Sequence, residues 1–340
     1  MGSTELHETA RAIVADHKGI LAADESTGTI KKRFDSIGVE STEENRRFYR
    51  QLLFTTPGME DAVGGVILYD ETIRQKADDG RPFPELLASK GSIPGIKVDT
   101  GAHDLAGFPG EKATEGLDGL RPRLEEYASL GARFAKWRAV ITIGEGIPTD
   151  ACIRANAHAL ARYAALCQEA GIVPIVEPEV LMDGDNTLEV CWEVTTRTLH
   201  ETFAELYDFG IDLQGTLLKP NMVVPGKGCP EQASSERIAQ ATVDCFLGVV
   251  PAAVPGIVFL SGGQSEVEAT ANLSAINGIG GPWPLSFSYG RALQASALRV
   301  WAGDAANAEA AQAAFAHRAH MNSLAAAGEW SAELEQPVTA

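Results

Sequence analysis

Charged side chains at the ends of short apolar runs are the residues best suited to chemistry in this sequence. Three runs carry two charged residues two positions apart, so both members of each pair lie on one face of a strand. These pairs are Lys97 with Asp99, Lys136 with Arg138, and Glu177 with Glu179. Buried charge is costly unless it is paired. We therefore expect either one shared site at a sheet edge or a purely structural ion network.

Lys219 directly follows the apolar residues Leu217 and Leu218, so a predicted strand ends in an amine. A lysine amine is ordinarily protonated at neutral pH, and burial or a neighbouring cation such as Lys136 or Arg138 favours its neutral, nucleophilic form. A neutral amine adds to a carbonyl to give a carbinolamine, and loss of water then gives an iminium ion that withdraws electrons. The pattern predicts Schiff-base chemistry at Lys219.

Carboxylates near such a lysine would carry out the proton transfers. Loss of water from the carbinolamine needs an acid, which Glu177 or Glu179 could provide if the site favours a protonated carboxyl. Cleavage of the bond next to the iminium needs a base at the neighbouring hydroxyl. Asp24, at the end of the first predicted strand, is the candidate base.

A glycine-rich segment near the end of the chain indicates a phosphate site. Ser261-Gly262-Gly263 comes just before a helix that Ser265 is predicted to cap, and backbone N–H groups at a helix N-terminus bind phosphate. Gly290 and Arg291 open the next helix and add a guanidinium. The glycines alone are also compatible with an ordinary loop, but the last two strands form the usual phosphate site of barrel enzymes.

A second basic cluster follows the first predicted strand. Lys32 and Arg33, with Lys97, could hold another phosphate, helped by the hydroxyls of Ser26 and Thr29. The alternative is a solvated helical face of basic residues. The chain has 28 basic and 46 acidic residues and a net charge of −18. Such a chain must gather its cations locally to bind an anion, and two clusters favour a bisphosphate.

The acidic composition also argues against several classes of partner. Nucleic acids and anionic membranes require a basic surface. The most apolar stretch, residues 246–260, is short for a membrane span and contains two prolines. Residues 1–17 lack the apolar segment of a signal peptide, and the five cysteines include no CxxC pair, which indicates reduced thiols. We expect a cytoplasmic protein.

No metal or other cofactor is predicted. The sequence has no HExxH motif, and His317 and His320 have the spacing of an exposed helical face. The acidic residues Asp183 and Asp185 lack the remainder of a calcium loop.

Alternating strands and helices must position these residues. Several of the strand runs are apolar throughout, which is typical of a parallel sheet covered on both faces. Eight strands fit a closed (β/α)8 barrel or an open doubly wound sheet. The number of strands and the absence of GxGxxG after the first one favour the barrel. The predicted strands are Gly19–Asp24, Gly64–Asp70, Ile93–Asp99, Arg133–Val140, Val173–Glu179, Gly215–Pro220, Gly256–Ser261 and Leu285–Tyr289.

We predict one α/β domain over residues 1–340. Its barrel core spans about 19–303, an extra C-terminal helix spans 304–328, and a mobile tail spans 329–340. Ser41-x-x-Glu44 and Ser265-x-x-Glu268 predict capping boxes. Long helices are predicted over residues 185–209 and 231–249.

Seven segments together resemble class I fructose-1,6-bisphosphate aldolases. The resemblance extends from the first strand to about residue 328. It departs from many members at Thr29 and Thr100, where they carry serine and lysine, and in the tail, which lacks the terminal tyrosine common in animal and plant members. The segments are GILAADESTGT (19–29), GIKVDT (95–100), FAKWRA (134–139), PIVEPEV (174–180), TLLKPNMV (216–223), FLSGGQSEV (259–267) and FSYGRALQA (287–295).

The resemblance implies a metal-independent, homotetrameric TIM-barrel lyase. It would cleave fructose 1,6-bisphosphate reversibly to dihydroxyacetone phosphate and glyceraldehyde 3-phosphate. By resemblance, Lys219 is the Schiff-base lysine, and Glu177, Lys136, Glu179 and Asp24 are its catalytic neighbours. The implied substrate-binding residues are Ser26, Thr29, Lys32, Arg33, Lys97, Arg138, Ser261, Gly262, Gly263, Ser288, Gly290 and Arg291.

Three other functions remain open at this point. Another Schiff-base barrel enzyme, similar to transaldolase or deoxyribose-phosphate aldolase, would need fewer anion contacts than two basic clusters provide. A phosphosugar isomerase would use carboxylates without a covalent lysine. A non-catalytic scaffold would have no reason to keep a charged barrel mouth.

Overall fold

Eight parallel strands close into a barrel in the computed structural model, which describes residues 3–335. This confirms the predicted TIM-barrel fold. Each barrel strand pairs with the next one along the chain, and the last pairs with the first through Ile20 opposite Ser288. The strands are β1 (Gly19–Ala23), β2 (Val63–Leu68), β3 (Ile93–Lys97), β4 (Gly101–Asp104), β5 (Lys112–Glu115), β6 (Phe134–Ile141), β7 (Val173–Val180), β8 (Leu217–Leu218), β9 (Ile257–Phe259) and β10 (Leu285–Tyr289).

Strands β4 and β5 are not part of the barrel but form an antiparallel hairpin after β3. The sequence did not predict this hairpin because its short polar strands lack the β-branched pattern of a buried strand. It packs against the barrel mouth, where the Thr114 hydroxyl donates to the backbone carbonyl of Arg138 at 2.7 Å. Glu111, just before β5, accepts from the backbone N–H of Thr149 at 2.7 Å.

Twelve α-helices are described, most of them surrounding the barrel. They are α1 (Ser3–Ile13), α2 (Thr27–Asp35), α3 (Glu43–Phe54), α4 (Asp70–Ile73), α5 (Phe83–Ser89), α6 (Leu120–Ser129), α7 (Asp150–Glu169), α8 (Leu188–Asp208), α9 (Ser235–Val249), α10 (Glu266–Ile279), α11 (Arg291–Trp301) and α12 (Ala308–Ala327). Within residues 3–335, none of them is both long and apolar enough to cross a membrane. All five cysteines are free and buried.

Helix starts confirm some of the predicted caps and correct others. Ser265 and Glu268 form the predicted capping box of α10. The other predicted box is wrong, because Thr42 rather than Ser41 caps α3. Helix α8 begins after Thr187, not at residue 185, and α9 begins after Ser234, not at residue 231. In each case a hydroxyl that accepts from the helix backbone fixes the start, and several such residues were available nearby.

The inward face of the barrel changes from apolar to charged along β6, β7 and the segment that begins with β8. Alternation places Phe134 on the same face as Lys136, Ile175 on the same face as Glu177, and Leu217 on the same face as Lys219. The apolar members of these sets form one buried cluster with Leu6, Ala10 and Ile13 of α1. Helix α1 therefore closes the amino-terminal end of the barrel, and the charged residues lie at the opposite end.

The C-terminal region packs onto the outside of the barrel. Asp304 caps a single 3-10 turn before α12, and Gly328 ends α12 with a φ of +73°. The structure describes the predicted mobile tail as far as Glu335, which pairs with Arg318 and accepts from the indole N–H of Trp330 at 2.8 Å. Residues 336–340 of that predicted tail lie outside the described residues.

We expect Gly64→Ala to destabilise the fold, because a Cβ at Gly64 would lie 2.2 Å from the backbone oxygen of Ile13. This contact is between α1 and β2 backbones, so neither side can yield easily, and the expected loss is about 3 kcal/mol in urea unfolding. Gly248→Ala in α9 is the control, since a Cβ there meets nothing within 4 Å. Equal stability of the two variants would contradict α1 as the barrel closure.

Candidate active site

A cavity of about 270 Å³ lies at the carboxyl ends of the barrel strands. It brings together every predicted site residue except Lys32, which lies on the exposed side of α2 opposite the buried Ile30 and Phe34. The predicted residues that line it are Asp24, Ser26, Thr29, Arg33, Lys97, Lys136, Arg138, Glu177, Glu179, Lys219, Ser261, Gly262, Gly263, Ser288, Gly290 and Arg291.

Two buried lysines and two carboxylates form a continuous chain at the base of the cavity. The Lys219 Nζ lies 3.1 Å from Oε1 of Glu177, whose Oε2 lies 3.2 Å from the Nζ of Lys136. The Lys136 Nζ also lies 2.8 Å from Oδ2 of Asp24. Lys136, Glu177 and Lys219 are each at most 4% exposed. Four strands therefore contribute one charged group each to a site from which water is largely excluded.

In this row of four charged groups, ion pairing has a larger effect than burial on the pKa values of Glu177, Asp24 and Lys136. Burial alone would raise the pKa of Glu177, but the ammonium groups of Lys136 and Lys219 hold that pKa below its ordinary value. Burial likewise raises the pKa of Asp24, and the same two lysines more than reverse the effect. The pKa of Lys136 is raised, because Asp24 and Glu177 outweigh the opposite effect of burial. The resting site therefore keeps Glu177 ionised and does not favour its acid form.

Neighbouring cations are paired in the same way. Arg138 forms a close ion pair with Glu179 on the adjacent strand, and burial of Arg138, which would lower its pKa, is outweighed by this partner. The Lys97 Nζ lies 2.6 Å from Oδ1 of Asp99. The barrel register places Lys97 opposite Lys136 and Arg138 opposite Glu177. The Arg138–Glu179 pair is therefore diagonal across two neighbouring strands, and Lys97 pairs with a residue two positions further along its own segment.

Glu25 is a buried site residue that strand-end reasoning missed. Its two carboxylate oxygens bind different guanidinium groups, Oε1 with Arg33 at 2.5 Å and Oε2 with Arg50 at 2.6 Å. Gln294 of α11 donates to Oε1 at 3.3 Å and to the Ala22 carbonyl at 2.8 Å. Burial would raise the pKa of Glu25, but Arg33 and Arg50 lower it. The sequence does offer one signal for Glu25, since it directly follows the predicted site residue Asp24.

Arg33 lies closer to the last strand than the sequence predicts. A Cβ at Gly290 would lie 3.6 Å from the Nη2 of Arg33, which places this guanidinium beside the segment that opens α11. Sequence order alone assigned Arg33 to the cluster with Lys97. The barrel closes between β1 and β10, so residues that follow the first strand also approach the last one.

The glycine-rich segment has the backbone expected of an anion site. Gly262 and Gly263 have φ values of +60° and +99°, and the α10 capping box follows them. Ser288 of β10 lines the same side of the cavity, and its buried hydroxyl has no hydrogen-bond partner among residues 3–335. A buried hydroxyl without a partner is uncommon, so the Ser288 hydroxyl is available to a polar ligand in the cavity.

A second cavity of about 660 Å³ adjoins the first on the other side. The two cavities share Ser26, Thr29, Lys97 and Arg138. Ser26 caps α2, and its Oγ lies 3.1 Å from the Oγ1 of Thr29. The first cavity thus has polar phosphate-compatible groups at both ends, with the buried lysines between them.

Known proteins are similar to this chain over nearly its whole length. Residues 5–340 match the family model described as fructose-bisphosphate aldolase class-I. The chain belongs to the class I fructose-bisphosphate aldolase family. A probable class 1 aldolase of Xanthomonas campestris is 60% identical over 332 residues, which cover 97% of this chain and 99% of that protein. The Dictyostelium discoideum aldolase is 55% identical over 333 residues, which cover 97% of this chain and 93% of that protein.

A solved structure agrees with the family membership. The fructose-bisphosphate aldolase of Plasmodium falciparum superposes with a TM-score of 0.96 at 50% identity, covering 97% of this chain and 96% of that one. The activity of this class I aldolase is the reversible cleavage of fructose 1,6-bisphosphate through a Schiff base. Its substrate is thus a phosphorylated ketose, as the two basic clusters predicted.

We expect Asp24→Asn to lower stability more at neutral than at acidic pH. The folded pKa of Asp24 lies below its ordinary 3.8, so its contribution is complete above about pH 5 and is lost as the pH falls toward the folded pKa. Urea unfolding should show the deficit of the variant shrinking by roughly 1 kcal/mol between pH 5 and pH 3.

Asp35→Asn is the control for this experiment, because it removes the exposed partner of Lys31. It should change the free energy of unfolding by less than about 0.5 kcal/mol at either pH. A deficit of Asp24→Asn that grows toward acidic pH would contradict the pairing of Asp24 with buried ammonium groups.

Proposed function

We propose that Lys219 forms the Schiff base with the ketone of fructose 1,6-bisphosphate. The observation that carries this assignment is the buried chain from Lys219 through Glu177 and Lys136 to Asp24. The Glu177 Oε1 is 3.1 Å from the Lys219 Nζ and is placed to accept a proton from it. The neutral amine then adds to the carbonyl carbon and gives a carbinolamine.

Glu177 returns that proton to the carbinolamine hydroxyl, which leaves as water. In the resting site two ammonium groups keep Glu177 ionised. Once Lys219 is a neutral carbinolamine, only Lys136 opposes protonation at close range, so the proton affinity of Glu177 rises. The reaction itself thereby converts Glu177 from base to acid when an acid is needed.

Asp24 accepts the proton of the C4 hydroxyl during cleavage. As that O–H bond breaks, a carbonyl forms at C4, and the electron pair of the C3–C4 bond moves into the iminium to give an enamine. Lys136 forms ion pairs with both carboxylates and remains charged, because Asp24 and Glu177 outweigh its burial and raise its pKa. We assign Glu179 a supporting role, in which it neutralises Arg138.

The two phosphates are assigned to opposite ends of the cavity. The proximal site, which we assign to the C1 phosphate, consists of the Ser261–Gly263 segment, Ser288, Gly290 and Arg291, with Arg33 beside it. The distal site consists of Ser26, Thr29 and Lys97, with Arg138 beside it. Lys32 is left out of both sites because its side chain is on the exposed face of α2.

We expect Lys219→Met to abolish both cleavage and covalent trapping. Borohydride reduces an iminium, so the wild-type protein incubated with dihydroxyacetone phosphate should gain the mass of one reduced adduct at position 219. The variant should gain none, and its kcat should fall by at least about a thousandfold, since the covalent route is lost. Mass spectrometry and a coupled cleavage assay with a chelator present measure these outcomes.

Lys31→Met is the matched control, because Lys31 is an exposed lysine paired with Asp35 at 2.7 Å. It should keep both the adduct and the rate. An adduct at another lysine, or cleavage at near-normal rate in Lys219→Met, would refute the assignment. A stable wild-type protein that never forms an adduct would favour a phosphosugar isomerase instead.

We further propose a cytoplasmic homotetramer that does not act on nucleic acid. The family resemblance supports the tetramer. So do large apolar side chains on neighbouring helices, with Tyr207 of α8 83% exposed and Leu247 of α9 58% exposed. The acidic net charge of −18 supports the absence of a nucleic-acid partner.

Light scattering coupled to size exclusion should give four times the mass of one chain over a broad range of protein concentration. Detergent-free buffer at moderate salt is sufficient, because apolar contacts are insensitive to ionic screening. A mass of one or two chains at micromolar concentration would rule out a stable tetramer.

A further inference from the structure

We propose that Lys227 is an additional phosphate-binding residue of the proximal site, and that Asp183 holds its ammonium group in place before substrate binds. Lys227 lies between Gly226 and Gly228 in the segment after β8. The proposal rests on the proposed assignment of the Ser261–Gly263 segment and Arg291 to the proximal phosphate.

Two cations converge on the open face of Gly263. A Cβ at Gly263 would lie 2.5 Å from the Nζ of Lys227 and 3.2 Å from the Nη2 of Arg291. Gly263 also has a φ of +99°, which disfavours any side chain. Because Gly263 has no side chain, the space beside its Cα is open to both the Lys227 ammonium and the Arg291 guanidinium. This space adjoins the backbone of the Ser261–Gly263 segment.

The backbone around Lys227 is fixed by the segment that follows β7. The Lys227 N–H donates to the Met182 carbonyl at 2.8 Å, and the Gly228 N–H donates to the Gly184 carbonyl at 2.7 Å. A Cβ at Gly226 would lie 2.3 Å from that Gly184 oxygen, so the two segments are in close backbone contact. The Cα of Lys227 is thus held at the cavity rim, while its long side chain stays 43% exposed.

The charge balance at this rim is incomplete without an anion. Lys227 Nζ lies 3.0 Å from Oδ1 of Asp183, an exposed carboxylate that also lines the catalytic cavity. Arg291 forms no ion pair with any residue in the described part of the chain. Its guanidinium and the Lys227 ammonium approach the same space beside Gly263, where their charges repel each other. A phosphate dianion placed there would match both cations.

An exposed ion pair such as Lys227–Asp183 is weak, so phosphate can replace the carboxylate as the partner of Lys227. Asp183 would then turn toward water, which its 62% exposed side chain allows. The Asp183 carboxylate partly neutralises the Lys227 ammonium. Asp183 therefore competes with phosphate for Lys227 and limits affinity.

Steady-state kinetics of Lys227→Met test the proposal. KM should rise roughly tenfold, the usual effect of losing one hydrogen bond to a charged group, and kcat should stay within about twofold. The KM for fructose 1-phosphate should rise by the same factor, since that sugar keeps the proximal phosphate. Lys227→Arg should restore most of the affinity, and Asp183→Asn should lower KM for both sugars.

Two controls separate this site from the rest of the molecule. Lys31→Met removes an exposed, carboxylate-paired lysine away from the cavity and should leave both KM values unchanged. Lys97→Met removes a distal cation and should raise KM for the bisphosphate much more than for fructose 1-phosphate.

The proposal is overturned if Lys227→Met leaves KM within about twofold of wild type. It is equally overturned if the variant affects only the bisphosphate, which would place Lys227 at the distal phosphate, or if kcat falls while KM is unchanged. Borohydride adducts at Lys219 are measured on the same preparations. A wild-type protein without an adduct refutes the proposed function, whereas an adduct with unchanged KM in the variant refutes only the role of Lys227.

Discussion

Glu177 forms ion pairs with two buried ammonium groups, and most of the barrel mouth is arranged to make this possible. Its carboxylate separates Lys219 from Lys136 with N–O distances of 3.1 and 3.2 Å. Breaking a buried ion pair by removing one partner costs about 3–5 kcal/mol, so none of these groups can be lost without consequence for the others. Asp24 then provides the second negative charge. Two lysines and two carboxylates are neutral together, which allows their burial at the end of an apolar barrel.

The charged residues around these four groups are paired in the same way. Arg138 has Glu179, Lys97 has Asp99, and Glu25 is shared by two arginines. Most of the cations that the cavity offers to an anionic substrate are therefore already compensated by carboxylates of the protein. Arg291 lacks such a partner in the part of the chain that the structure describes. The proximal end of the cavity is consequently the place where an incoming phosphate gains the most from unsatisfied positive charge.

Much of this arrangement could be predicted from the sequence, because one periodicity and one rule of sheet topology determine it. A period of two along each strand, combined with the common edge of parallel strands, predicts that Lys136, Glu177 and Lys219 lie together. That reasoning is limited to strand ends. It missed Arg50, which comes from a helix, and Glu25, whose partners follow from barrel closure. Lys32 was included because a basic run does not reveal which of its members faces solvent.

The inward face of the barrel has two halves with different roles. The apolar half stabilises the fold, and the charged half lines the site. Apolar residues and helix α1 fill the amino-terminal end, where packing is insensitive to protonation. The charged end is sensitive to it, since the state of Glu177 depends on whether Lys219 carries a charge. When Lys219 becomes neutral, one of the two cations next to Glu177 is removed without any movement of the backbone. A rigid barrel can therefore change the proton affinity of its central carboxylate through the covalent state of a single neighbouring amine.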